Sequence, residues 1–317
     1  MRIGMGIGGD VLGAPMPPAD IVEQARQAET EGFPAAWTVH FTRGVDALNV
    51  LAVAGTKTTQ IELGVGIVPT YPRHPLALAQ QAATTQAFCG GRLTLGVGVS
   101  HRPVIEGMHG LSYARPAAHM REYLSVLTPL LRDGSAHYRG EFYQVDGGFT
   151  VPGATAVSVV VGALSPKMVQ VACELADGVV TWLAGPRTLD GDIVPELNRA
   201  AADAGRTQPR VVAAVQVAVC KDADAGRATA EQIFARYGGL ENYQRLLARE
   251  GVASPGALAI VGTESAVERQ LRRYADVGTT ELWPTVFPVG DDAAASVKRT
   301  RALLAELALE PELARDP

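Results

Sequence analysis

Along this 317-residue chain, short apolar runs alternate with longer segments whose apolar residues recur three and four positions apart. The first pattern predicts strands and the second amphipathic helices. Strands are predicted at residues 2–7, 35–39, 61–67, 93–99, 157–162, 178–181, 211–219 and 280–284. Helical patterns follow them, among others at 19–31, 76–88, 116–131, 166–175, 189–204 and 266–275. The runs VSVVVG and VVAAVQVAV are apolar on both faces, as strands in a parallel sheet covered by helices are. Ser165 before Pro166 reads as an N-cap with proline in the first helical position, and Pro75 opens a helix in the same way.

Eight strands, each followed by a helix, point to the α/β class and a closed (β/α)8 TIM barrel. It is read as a single domain over residues 1–317 with insertions on the C-terminal face. An open doubly wound sheet is the alternative, but it more often has about five or six strands. Two segments break the rhythm. Residues 136–150 read as an inserted hairpin. Residues 236–259, with Gly238-Gly239, Tyr243 and Ser254-Pro255, follow the seventh strand and read as a lid or a surface excursion.

At 47% hydrophobic the chain can bury a large core. A net charge of −5 and no basic stripe argue against nucleic acid as a partner. The longest apolar runs, 211–220 and 157–164, are far short of the roughly 20 residues that cross a bilayer. The start MRIGMGIGG lacks the layout of a signal peptide. A cytoplasmic protein with no membrane partner and a small-molecule substrate is expected. Cys89, Cys173 and Cys220 share no ligand spacing and read as buried reduced thiols, and no His/Asp/Glu grouping has metal spacing.

In α/β proteins ligands bind at the C-terminal ends of the strands. There the segment 61–101 puts two glycine-rich, polar turns side by side. GVGVSH ends in Gly98, Val99, Ser100 and His101, and its glycines allow close backbone approach. VVVGALSPKM carries Gly162, Ala163, Leu164 and Ser165 into a helix start. Free N–H groups and the helix dipole favour phosphate or carboxylate there, and Lys167 adds charge. Together the two loops suit one extended anionic cofactor. There is no GxGxxG after the first strand, no Walker loop and no GxSxG elbow.

His40 closes the second strand, where period-two alternation sets Thr38 and His40 on one side and Trp37 and Val39 on the other. It is the first candidate for general acid/base work, and His101 is the second. His74 reads as a packing or capping group, His109 as a loop residue, and His119 and His137 as surface or structural. Tyr71, Trp182, Trp283 and Phe287 fall at the expected mouth, where they would stack on a planar ring or plug the barrel top.

GVGIVPTYPRHP, GRLTLGVGVSH, VGALSPKMVQVACELADGVVTW and IVGTESAVERQLRRYADVGTTELW occur in that order. Together they resemble the bacterial luciferase-like flavin and deazaflavin oxidoreductases over nearly the whole chain. The nearest likeness is to the branch that uses coenzyme F-420, an 8-hydroxy-5-deazaflavin, as methylene-tetrahydromethanopterin reductases do. The resemblance implies a homodimer, a deazaflavin over the strand ends, and a non-prolyl cis peptide at Gly66–Ile67. It implies cofactor contacts from Val39, His40, Gly66, Ile67, Val68, Gly98, Val99, Ser100, His101, Gly162, Ala163, Leu164, Ser165, Lys167, Thr181 and Trp182. Tyr71, His109, Trp283 and Phe287 are the expected substrate contacts.

The chain also departs from the pattern. Many relatives have an Asp-His pair where this sequence has Val39-His40. The sugar-phosphate dehydrogenases of the branch carry a tryptophan where this chain has the Phe41–Gly44 stretch, and a glutamate where it has His101. The expected activity is hydride transfer between the deazaflavin and an alcohol/carbonyl pair or an activated alkene. An FMN-dependent monooxygenase is the alternative, and a cofactor-binding barrel without turnover is the next.

Overall fold

The structure is a computed structural model that describes residues 1–203, 205 and 208–310. In chain order the elements are β1 (Arg2–Ile3), β2 (Met5–Gly6), α1 (Pro18–Thr30), β3 (Ala35–Thr38), α2 (Ala47–Gly55), β4 (Glu62–Pro69), α3 (Pro75–Phe88), β5 (Leu93–Gly98), α4 (Arg102–Gly107) and α5 (Pro116–Asp133). The hairpin β6 (Ser135–Arg139) and β7 (Gln144–Gly148) comes next, then β8 (Ser158–Gly162), α6 (Pro166–Leu175), β9 (Gly178–Trp182), α7 (Pro186–Thr188) and α8 (Val194–Asp203). The chain continues with β10 (Arg210–Val219), α9 (Ala223–Phe234), α10 (Glu241–Glu250), β11 (Ile260–Gly262), α11 (Glu264–Asp276), β12 (Glu281–Val286) and α12 (Ala293–Ala308).

The main sheet is parallel in the order β1-β12-β10-β9-β8-β5-β4-β3-β2. Its two ends, β1 and β2, are halves of one strand on either side of Gly4. One half bonds to the last strand, with Arg2 N to Thr280 O at 2.8 Å and Gly4 N to Leu282 O at 2.9 Å. Just past the other half, Ile7 N reaches Trp37 O at 2.8 Å. The ring is therefore an eight-stranded (β/α)8 barrel, as the alternating pattern predicts. β11 lies off the ring beside β10.

Strand alternation divides the core. Val211, Ala213, Val215, Val217 and Val219 of β10 face the helices, whereas Val212 and Ala214 face the barrel interior with Trp37, Val160, Val180 and Trp283. At the N-terminal end of the interior, Arg210 donates to Glu62 and Glu281, both at 2.7 Å, and to Thr94 at 3.0 Å. Trp37 Nε1 donates to the same Glu281 at 2.6 Å. Above this network Trp37 and Trp283 stack with centroids 5.4 Å apart. Glycine makes the room: a Cβ at Gly64 would lie 2.4 Å from the Trp37 ring, and one at Gly66 2.4 Å from the Trp283 ring.

The inserted hairpin is present and antiparallel, pairing His137 with Asp146. Residues 236–259 are largely helical, built around α10. The Glu250 carboxylate at its end accepts from Thr188 N at 2.7 Å, tying α10 to the loop after β9. The predicted helix 189–204 begins as a wider turn over Leu189–Ile193 before α8, and Ala204 lies outside the described residues. Cys89, Cys173 and Cys220 are buried free thiols. Among the described residues, no helix is long and apolar enough to cross a membrane, and no group of His, Cys, Asp and Glu could hold a metal.

Candidate active site

At the C-terminal end of the barrel, β4 shifts register between Val65 and Val68, and the Gly66–Ile67 peptide is cis. The Ile67 side chain lies across the inner wall. A Cβ at Gly98 would meet it at 2.8 Å and one at Gly162 at 3.2 Å. These two glycines, expected as cofactor grips, thus have a packing duty of their own: they admit Ile67. Val39 and Trp182 join Ile67 on top of the inner cluster. The mouth floor is therefore apolar.

His40 sits between elements rather than over the floor. Ala47 N, at the start of α2, donates to its Nδ1 at 3.2 Å, and Arg73 Nη1 lies 3.2 Å from its Nε2. Asp46 caps α2 through Asn49 N and holds the Arg73 guanidinium at 2.6 Å. Burial and the adjacent Arg73 charge pull the His40 pKa down to about 4, against a smaller opposing pull from Asp46. The ring is therefore neutral at neutral pH. His40, Thr42, Pro69, Pro72, Arg73 and His109 enclose a cavity of about 290 Å³. His109 Nε2 lies 3.3 Å from Thr42 Oγ1 on its rim.

His101 is the N-cap residue of α4, and its ring faces Tyr243 of α10 at 5.7 Å. Burial lowers its pKa. Before it, Ser100 takes a left-handed backbone, φ 56°, and its carbonyl accepts from Tyr113 Oη at 2.9 Å. Such a conformation is uncommon for serine and persists where surroundings hold it. Val99 packs against the helix-side core.

The second loop is a helix start as expected. Ser165 Oγ caps α6 by accepting from Met168 N at 3.4 Å, and Lys167 is exposed in the first turn. Ala163 is buried and Leu164 half-buried behind it.

Several expected contacts have other surroundings. Thr181 shares the outward face of β9 with Val179, so strand alternation turns its hydroxyl from the mouth. Val68, buried, likewise pairs with Val97 on the helix side. Trp283 is 4% exposed beneath the floor, and Phe287, fully buried, packs edge-on against Phe234. Tyr71 stacks on the His119 ring at 3.9 Å. His119 is no surface residue: it bonds Thr70 Oγ1 at 3.0 Å inside a cage with Tyr123, Phe142 and Tyr143. His74 is a cap, accepting from Leu76 N at 3.2 Å.

The sequence reading missed Arg73 and Asp46, whose signals were a charge inside YPRHP and an acid just before a helix. It also passed over Gln216, the one polar residue in the valine-rich seventh strand.

A closed barrel thus carries an apolar floor, a histidine of lowered pKa and a capped helix start at the C-terminal ends of its strands. The chain belongs to the luciferase-like monooxygenase family, which its residues 1–294 match. It is 30% identical over 214 residues to the 5,10-methylenetetrahydromethanopterin reductase of Archaeoglobus fulgidus, covering 66% of this chain and 63% of that enzyme. It is 27% identical over 247 residues to the reductase of the same name from Methanolobus tindarius, covering 78% of this chain and 75% of the other. Its fold is similar to that of the coenzyme F-420-dependent tetrahydromethanopterin reductase of Methanopyrus kandleri: TM-score 0.79, 23% identity, 96% of this chain and 97% of that one.

Proposed function

We propose that this protein is a coenzyme F-420-dependent oxidoreductase acting on an alcohol/carbonyl pair or an activated alkene. The observation that carries the reading is the match to methylenetetrahydromethanopterin reductases, joined to a barrel mouth whose residues suit such a cofactor. Val39, Ile67 and Trp182 offer an apolar bed for a flat ring. Gln216 Nε2 and Oε1 and Trp182 Nε1, buried and unpaired among the described residues, offer polar atoms to its edge. Gly162–Ser165 and Lys167 offer backbone and charge to a phosphate.

When bound, the deazaflavin supplies a carbon that takes or gives a hydride where a flavin has N5. The chain's own residues do the rest. His40, unprotonated at neutral pH, takes the hydroxyl proton from an alcohol as it is oxidised, and returns it in the reverse direction. Arg73 and Ala47 N hold its ring in one orientation. His101, also depressed by burial, is the second candidate base. The cavity beside His40, with Thr42, Arg73 and His109 on its wall, suits the polar end of a medium-sized carbonyl compound or enone, and the apolar floor suits the rest. Tyr71 and His109 lie toward that side. We read the chain as cytoplasmic. We also read it as a homodimer, since α2 and α3 leave Val53 and Phe88 more than half exposed. Light scattering returning only a monomer mass would end the dimer reading.

The family's monooxygenase name favours one second reading, an FMN enzyme that consumes oxygen with a reductase partner. Tryptophan quenching on titration with F-420 and, separately, FMN separates the two, because Trp182 lies at the mouth. Micromolar F-420 binding with FMN much weaker is the expected result. Tight FMN with weak F-420 overturns the deazaflavin reading.

A further inference from the structure

β10 carries Arg210, Val212, Ala214 and Gln216 on its inward face. Ala214 is level with Trp182 of β9 and Trp283 of β12, and Gln216 is level with Thr285. Gln216 therefore stands one inward step above the tryptophan floor, toward the C-terminal end of the barrel. Its side chain belongs to a residue only 2% exposed. Neither Oε1 nor Nε2 has a hydrogen-bond partner among the described residues. On the adjoining strand Trp182 Nε1 is likewise buried and unpaired. Buried side-chain amides are nearly always hydrogen-bonded, so a carboxamide with both ends free points to a group the chain itself does not supply.

We propose that Gln216 binds the imide edge of the ring cofactor. This rests on the reading of the protein as a deazaflavin or flavin enzyme. A carboxamide presents one donor and one acceptor side by side in a plane. The pyrimidine part of a deazaflavin presents the complement, a ring N–H beside a ring carbonyl. Oε1 accepts from the ring N–H and Nε2 donates to the carbonyl, while Trp182 Nε1 is a further donor for a second carbonyl. Apolar walls around the pair raise the cost of leaving it unmade. Deazaflavin and flavin share this edge, so Gln216 selects for the ring and not between the two cofactors. It is a binding residue that fixes which way round the ring lies.

The test is cofactor affinity, not turnover. Wild type and Gln216→Met are titrated with F-420, with FMN and with each of the two methylated on the imide nitrogen, following tryptophan quenching. The thermal midpoint of each cofactor-free protein is recorded beside it. Methionine keeps the length of the side chain and removes the two polar atoms. The expected result is at least about tenfold weaker ring binding in Gln216→Met, as befits loss of two buried hydrogen bonds. The cofactor-free thermal midpoint is expected to hold or rise, since an unpaired buried amide is gone. Methylation should weaken binding to wild type and not to Gln216→Met, because only the former uses the ring N–H. Unchanged affinity in the variant, or an equal methylation penalty in both proteins, overturns the assignment. A fall in affinity with a matching fall in the cofactor-free thermal midpoint also overturns it, as a structural role. If wild type binds neither F-420 nor FMN, the functional reading itself falls. If wild type binds the ring and the variant binds it equally well, only the role of Gln216 falls.

Discussion

The inner face of the barrel is made of the same strands at both ends, yet the two ends treat polar atoms in opposite ways. At the N-terminal end, Arg210 of β10, Glu62 of β4, Thr94 of β5 and Glu281 of β12 bond one another at 2.6–3.0 Å, with Arg2 and Trp37 completing the set. At the C-terminal end the same β10 offers Gln216, unpaired among the described residues. One end spends its hydrogen bonds on joining distant strands. The other leaves a donor and an acceptor unpaired, which we assign to a bound ring. On that assignment stability and function are separated along a strand only ten residues long.

The largest expected effect belongs to the satisfied end. Arg210→Met leaves the Glu62 and Glu281 carboxylates with Arg2 as their one remaining cation and should cost about 3 kcal/mol in denaturant unfolding. That is the low side for a buried pair, since the arginine side chain keeps 24% of its surface accessible. Ligand affinity per folded molecule should hold. The network also carries a pH signature. Burial raises the Glu62 pKa, but Arg210 and Arg2 overcome this and hold it below the ordinary 4.5. Its contribution is then full above pH 4.5 and is lost as pH falls through the lowered value. Arg210→Met should flatten that acid limb, and an unaltered stability–pH curve would break the comparison.

Smaller effects are expected at the mouth, on rate rather than on stability. His40→Ala should lower kcat by at least about tenfold with little change in thermal midpoint. In wild type, kcat/KM should fall on the acid side with an apparent pKa of about 4, as His40 becomes protonated. Burial is the first cause of that low value and Arg73 the second. Arg73→Met should therefore move the acid limb upward, towards the ordinary 6.5. A limb that stays put would remove Arg73 from the tuning of His40.

The smallest expected effect is at the helix start. Lys167→Ala should weaken a phosphate-bearing cofactor about two- to fivefold, in line with one charge near a helix N-terminus. The effect should shrink in high salt and vanish for a ring compound lacking the phosphate.

The barrel was legible because each strand announces itself locally. Eight apolar runs with helical patterns between them leave few alternatives, and all eight strands lie where the pattern predicts. Strand alternation also set Trp37 and Val39 apart from Thr38 and His40 correctly. What one sequence hides is which residues meet across the ring. Nothing in ELGVG tells that Gly64 and Gly66 are small to admit two tryptophans, one from the preceding strand and one from the last. His119 likewise gave no local hint that Thr70 and four aromatic rings would enclose it. The same limit applies at the mouth, where Thr181 was expected to face a cofactor although alternation from Val180 turns it outward.

The split first strand bears on how the protein is made. β1 and β2 leave the ribosome before the other strands of the barrel, yet one of their two neighbours, β12, ends at Val286. During synthesis the growing barrel can add strands in one direction only, and its starting edge stays bare until β12 has emerged. Parallel pairing over such a sequence separation is slow, and a bare edge invites pairing with other chains. Sealing of the ring is thus a late event, and residues 2–6 are the seam at which a nascent molecule is most exposed to chaperones or to aggregation.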